Sequence, residues 1–255
     1  RGTLFWLLDR TKTPMGGRRM RLFLERPMRK KEDIEKRLDA VEEIKNDFSL
    51  REDVREALSE ISDIERICTR VSYGTVNAKE TVFMRRSLKN LPRIKDLIKN
   101  VKSAALREVY ENLDPLEDIY SLLENAVSDD PSDSIREGGI IKKGYSEELD
   151  KYRDAIENGQ SWILRLEAKY REQTEIKNLK IKYNKVFGYT IEVTNSFKDK
   201  VPFDFVRRQT LAGAERYTTE ELKQTEEIIS GSEEKAVRLE YELFTKIRET
   251  LFEAL

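Results

Sequence analysis

Apolar residues recur every three or four positions along most of the chain, the spacing of helices that bury one face. Leu4, Leu7 and Leu8, then Met20, Phe23 and Leu24, fall on this spacing around a break predicted at Thr13, Pro14, Gly16 and Gly17. After Pro27, Ile34, Leu38, Val41 and Ile44 predict an amphipathic helix. Val54, Leu58, Ile61, Ile64 and Ile67 predict a further helical run from an N-cap at Ser49 to a stop at Gly74. Helices are also predicted over Thr81–Asn100, with a break or kink at Pro92, over Ala104–Tyr110, and over Leu113–Val127 with Pro115 in the first turn. DDPSDS from Asp129 reads as a loop, and Ile135–Tyr145 as a hairpin or two-sided turn about Gly138 and Gly139.

Two later stretches match each other. Leu149, Tyr152, Ile156, Gly159, Ile163, Leu166 and Tyr170 alternate steps of three and four, as do Leu222, Thr225, Ile229, Ser232, Ala236, Leu239 and Leu243. Paired antiparallel, they form a two-helix arm about 40 Å long. Between them the period changes to two. Leu179, Ile181 and Tyr183 alternate with Lys180, Lys182 and Asn184; Tyr189, Ile191 and Val193 alternate with Thr190, Glu192 and Thr194. Asn184–Gly188 is the predicted turn of this hairpin, and strands near Phe205–Leu211 and Glu215–Thr218 complete a small sheet carried at the tip of the arm.

Composition fits long helices joined by few turns: 255 residues, 38% hydrophobic and 38% charged, with 11 Gly and 6 Pro. An elongated, solvated protein is expected. No window approaches a membrane span, and a cytoplasmic setting follows as the default. There is no His, and the single Cys68 sits on an apolar helical stripe, the position of a structural thiol. Most zinc sites and every His-dependent triad are thereby excluded, and no catalytic or metal-binding residue is nominated. Gly139–Gly144 matches half of a nucleotide-binding loop, but Tyr145 stands where the phosphate-contacting lysine belongs. No secretory leader is evident, and a chain opening at Arg1 reads as part of a longer one.

Charge is what singles out the module at residues 176–219. It holds nine Lys and Arg against four Asp and Glu, a net charge of +5; the whole chain is −1, so the remainder carries −6. Basic charge gathered on a small sheet points to a polyanion, and its Lys, Arg, Asn and Gln donors suit phosphates, which carry no sequence information. The competing reading is that these cations only keep strand edges soluble. The other basic cluster, Arg18, Arg19 and Arg21, is read as a solvated or acid-paired helix face rather than an anion site.

Several of these segments resemble the MutS DNA mismatch-repair family. LFWLLDRTKTPMGGRRMR, RLDAVEEI and DDPSDSIREGGIIKKGYSEELD are similar to segments of its core, and YNKVFGYTIEVT followed by RRQTLAGAERYTTEELKQTE to its clamp. The resemblance implies nonspecific clamping of double-stranded DNA, with Asn184 and Lys185 at the turn touching phosphates. A second contact of the family, a Lys-Asn pair, is replaced here by Ala212 and Gly213, so only backbone amides remain at that turn. The replacement implies either weaker DNA binding than is typical of the family or more weight on Lys182 and Lys185. The family's mismatch-reading and ATPase domains have no counterpart in these residues, so ATP and Mg are implied for the parent protein only. The resemblance also implies a homodimeric parent and a MutL-type repair partner.

The expected fold is mainly α: a helical bundle core (1–144), an outgoing lever helix (145–175), a β-rich clamp insertion (176–219) and an antiparallel returning lever helix (220–255). The expected function is a nonspecific duplex-DNA clamping and lever module, not an enzyme, with Lys182, Asn184, Lys185, Arg207, Arg208 and Gly213 as DNA-binding residues. The alternative is a protein-interaction scaffold whose arm docks a repair partner or a second subunit.

Overall fold

The computed structural model describes residues 2–184 and 186–255. Among these the chain forms ten α-helices and one four-stranded antiparallel sheet, a mainly α protein with a small β insertion. It divides into two compact units, Arg1–Lys142 with Glu242–Leu255, and Lys143–Tyr241. No described helix is long and apolar enough to cross a membrane.

The first unit holds α1 (Leu4–Leu8), α2 (Pro14–Glu25), α3 (Lys31–Asn46), α4 (Phe48–Ser59), α5 (Ile64–Ser72), α6 (Ala78–Leu97), α7 (Ala104–Asn112) and α8 (Glu117–Ala126). Local chemistry sets most of the boundaries. Thr13 caps α2 through Gly16 N–H, with Pro14 at the first helical position; Gly16 and Gly17 lie inside the helix rather than in a break. The run expected from Ser49 to Tyr73 is two helices. Asp47, not Ser49, caps the first through Leu50 N–H, and Asp63 restarts the second through Arg66 N–H. A full capping box, Asn77 with Glu80, opens α6, which continues as helix past Pro92. Buried Leu88 and Ile94 anchor the helix on both sides of that proline, so tertiary packing overrides the expected break.

The helix α8 begins at Glu117, later than expected, because Leu116 is left-handed (φ 53°) and its N–H is held by Asp114. Ile135–Glu137 is a single 3-10 turn followed by Gly138 and Gly139 at positive φ, and Ile141 bridges Val127; of the two expected forms the segment is a turn and not a hairpin. Arg85, 5% exposed, ties this region together through Val127 O (3.0 Å), Asp129 (2.6 Å) and Glu124 (3.3 Å). Cys68 is half-buried, and burial pushes its thiol pKa up. The Ile34, Leu38 and Val41 stripe of α3 stays exposed. Arg18, Arg19 and Arg21 are all engaged: Arg18 bridges Asp63 and Glu65, and the other two lie over Phe23 and Phe5.

The second unit consists of α9 (Glu147–Thr174), β1 (Lys180–Asn184), β2 (Gly188–Thr194), β3 (Val206–Thr210), β4 (Ala214–Thr218) and most of α10 (Glu220–Glu253), with a 3-10 stretch at Asn195–Lys200. The two helices run antiparallel. Arg153 pairs with Glu240 (2.9 Å), Gly159 meets Ile229, Lys169 pairs with Glu221 (2.7 Å), and Tyr170 hydroxyl bonds Thr219 (2.7 Å), so advancing along α9 means retreating along α10. The seam is buried at Leu149, Gly159, Ile163, Leu166 and Tyr170 on one side and Leu222, Thr225, Ile229 and Ala236 on the other. Beyond Ala236 it leaves the expected register: Leu239 and Leu243 are half-buried, while Glu240 and Phe244 are fully buried.

The strand order is β1-β2-β4-β3. Leu179, Ile191, Val193 and Tyr217 pack with Phe205 against Ile163, Leu166, Tyr170, Leu222 and Ile229 of the helices, which seats the sheet on the arm. The outer edge of β1 is met by α9. Arg171 donates to Leu179 O (2.7 Å), Ile181 N–H donates to Glu167 (2.7 Å), and Arg171 and Glu167 pair with each other (2.6 Å).

Candidate nucleic-acid interface

Register decides which side chains share the sheet's polar face. Lys180 lies opposite Glu192, Lys182 opposite Thr190, Glu192 opposite Arg216, and Arg216 opposite Gln209. One polar row, with cations on β1 and β4, a carboxylate on β2 and Gln209 on β3, therefore crosses all four strands, and Lys182 lies beside it. Lys182 is half exposed and donates to Glu192 at 2.7 Å; Arg216 approaches the other Glu192 oxygen at 3.5 Å and donates to Gln209 at 2.8 Å. The Lys182 ammonium, and then Arg216, hold the Glu192 carboxyl below its usual range despite partial burial. Sequence reasoning nominated Lys182 as a DNA-binding residue but not Lys180, Glu192, Arg216 or Gln209. The alternation gives their face, but their meeting depends on pairing between strands 24 residues apart (Glu192, Arg216), which no local pattern encodes.

The β1–β2 turn is built by Asn184. Its Oδ1 accepts from Val186 N–H (2.9 Å) and Phe187 N–H (3.2 Å), so the side-chain oxygen and both amides are used within the turn. Gly188 closes it at φ 69°. Glu226 of α10 accepts from Tyr189 N–H (3.2 Å) and packs on Gly188, so the turn lies against the arm rather than beyond its end. Lys185 lies outside the described residues. Tyr183, Val186 and Phe187 around it are exposed.

On β3 the ladder slips between Arg207 and Gln209, which leaves Arg208 as the extra residue of a β-bulge. Arg208 is exposed, and neither it nor Lys180 forms an ion pair among the described residues. Arg207 faces Glu215 at 3.4 Å, and Glu215 also accepts from the Tyr217 hydroxyl. Burial first, and this carboxylate second, push the Tyr217 pKa up to about 12. Gly213 is exposed in the β3–β4 turn, which Asn195 ties down: its N–H donates to Gly213 O (3.2 Å) and its amide to Ala212 O (3.2 Å).

The two turns that the sequence nominated stand at opposite ends of β2, since Asn184 pairs with Gly188 at one end and Thr194 with Ala214 at the other. The seven residues of β2 set them about 20 Å apart. No single phosphate meets both. The row of Lys180, Lys182 and Arg216 lies between them, and Arg208 on the β3 edge. Such a surface can neutralise phosphates along a backbone. Among the described residues it offers no helix to enter a groove.

Comparison with known proteins identifies the chain. A family model described as MutS domain III matches residues 1–255. The chain is 51% identical to the DNA mismatch repair protein MutS of Caldanaerobacter subterraneus subsp. tengcongensis, over 98% of its own length and 29% of that protein. It is 46% identical to the same-named protein of Acetivibrio thermocellus (97% of the chain, 28% of the relative) and 49% identical to that of Clostridium botulinum strain Okra (99% and 27%). It thus spans less than a third of the length of these relatives. Helices, inserted sheet and matched length agree: the chain belongs to the MutS family, in the part described as domain III.

Proposed function

We propose that this chain is the nonspecific duplex-DNA clamping and lever module of a MutS-type mismatch repair ATPase, acting in the cytoplasm as a binding and mechanical element rather than as an enzyme. In this reading residues 1–144 are the core, 145–175 and 220–255 the lever, and 176–219 the clamp. Phosphates of double-stranded DNA are held by Lys182, Asn184, Lys185, Arg207, Arg208 and the backbone at Gly213. A homodimeric parent and a MutL-type partner belong to the same proposal.

The observation that carries it is the row of cations between two turns on the polar face of one sheet, borne by a module of net charge +5 in a chain of net charge −1. Strand solubility alone does not require three cations on one face of one sheet.

Fluorescence anisotropy of the chain with matched and mismatched labelled duplexes over roughly 50 to 200 mM salt tests the reading. Binding that falls steeply with salt and favours neither duplex by more than about tenfold, 1.4 kcal/mol, is the expected result. A salt-insensitive failure to bind, with capture of a protein partner instead, would replace the clamp by a scaffold arm.

A further inference from the structure

The carboxylate of Glu192 sits in the middle of the cationic row. Lys180 is its direct cross-strand partner, yet the side chain turns to the diagonal Lys182 at 2.7 Å and, on the other side, to Arg216 at 3.5 Å. A carboxylate and a phosphodiester each present two anionic oxygens on one centre, and ammonium and guanidinium groups donate to either. Lys182 is half exposed, whereas Glu192 and Arg216 are about one-fifth exposed, so the pair is open to solvent on the lysine side.

We propose that Glu192 is a built-in competitor of the duplex: it holds Lys182 and Arg216 as a phosphate would, and DNA engages them only by displacing it. The consequence is a weakened, readily released grip. This rests on the clamping function above and adds how that grip is tuned. Without Glu192 the face carries one more unit of positive charge at the point where a phosphate arrives. The salt dependence of binding then steepens by up to about 0.9, which makes the gain in affinity over the parent chain about eightfold larger for each tenfold dilution of salt.

The test measures binding of one labelled duplex to the parent chain, Glu192→Gln and the control Glu157→Gln across a salt series. Glu157 is an exposed residue of α9, and its replacement changes net charge equally. Circular dichroism and thermal melting verify each fold. Glu192→Thr, a good strand former, serves as a second neutral variant. Tighter binding with a steeper salt slope in the Glu192 variants, and an unchanged slope in Glu157→Gln, is expected. An unchanged slope in folded Glu192 variants, or equal gains in the control, overturns the proposal. If neither neutral variant folds, Glu192 is a structural residue and the proposal falls. Failure of the parent chain and every variant to bind duplex overturns the clamp itself, which separates the two conclusions.

Discussion

Gly159 of α9 faces Ile229 of α10 so closely that a methyl group on Gly159 would overlap Ile229 Cγ1 and come within 2.9 Å of Cδ1. Glycine is costly inside a helix, by about 1 kcal/mol relative to alanine, but here it lets two backbones approach. Gly159→Ala is therefore expected to destabilise the chain by about 1–3 kcal/mol through overpacking, despite the better helix propensity of alanine. Urea denaturation checks the sign. Combined with Ile229→Ala, it should cost less than the sum of the two single changes, a non-additivity that independent sites would not show.

A second glycine depends on both conformation and space. Gly188 has φ 69°, and an added methyl group would strike the Glu226 carboxylate. Gly188→Ala should cost about 1–2 kcal/mol from the left-handed backbone alone. Truncating Glu226 to Ala should relieve the clash and leave that backbone cost. Equal stability of Gly188→Ala and the parent in thermal melts would show that the turn adopts another conformation.

Arg208 and Arg207 are neighbours with different surroundings. Arg207 faces Glu215, whereas Arg208 is the exposed bulge residue without an ion pair among the described residues. Arg208→Ala should lower the salt slope of duplex binding by up to about 0.9 with little change in melting temperature. Arg207→Ala should lower it less. A larger loss from Arg207→Ala would reverse the assignment of the two side chains.

Acid should loosen the contact between α2 and α5. The Arg18 guanidinium, hydrogen-bonded to Asp63, holds that carboxyl below its usual range, overcoming the opposing effect of burial. The folded state thus binds this proton more weakly than the unfolded chain. The contribution is full above the ordinary aspartate value near 4 and fades as pH falls through the lowered one. Asp63→Asn keeps a good helix cap and removes the charge. Melting curves should show the parent more stable at neutral pH and the difference shrinking below about pH 4. A difference constant with pH would mean that the hydrogen bonds, not the charge, carry the contact.

The helical seams and the β1–β2 hairpin were legible because both depend on spacing, and burial of Ile163, Leu166, Tyr170, Ile191 and Val193 follows it closely. What escaped was set by contacts distant in sequence or by single backbone choices. Pro92 stays in a helix because its neighbours are anchored, and α8 starts late because Leu116 is left-handed. In the candidate interface, individual cations could be named from the chain. Their counter-charges, Glu192 for Lys182 and Glu215 for Arg207, follow only from strand register. The resemblance to a known family supplied two turns, and the sheet places them at opposite ends of one strand.

An open strand edge invites another strand, and a charged module concentrated along a polymer would bring such edges together. At β1 the ion pair of Glu167 and Arg171 answers this: one side chain accepts from Ile181 N–H, the other donates to Leu179 O, and together they imitate the acceptor and donor of a missing neighbour. At β3 the bulge and two arginines interrupt the ladder. Both margins are obstructed by side chains rather than by backbone. Both devices discourage copies of this chain, crowded side by side, from extending one another's sheets.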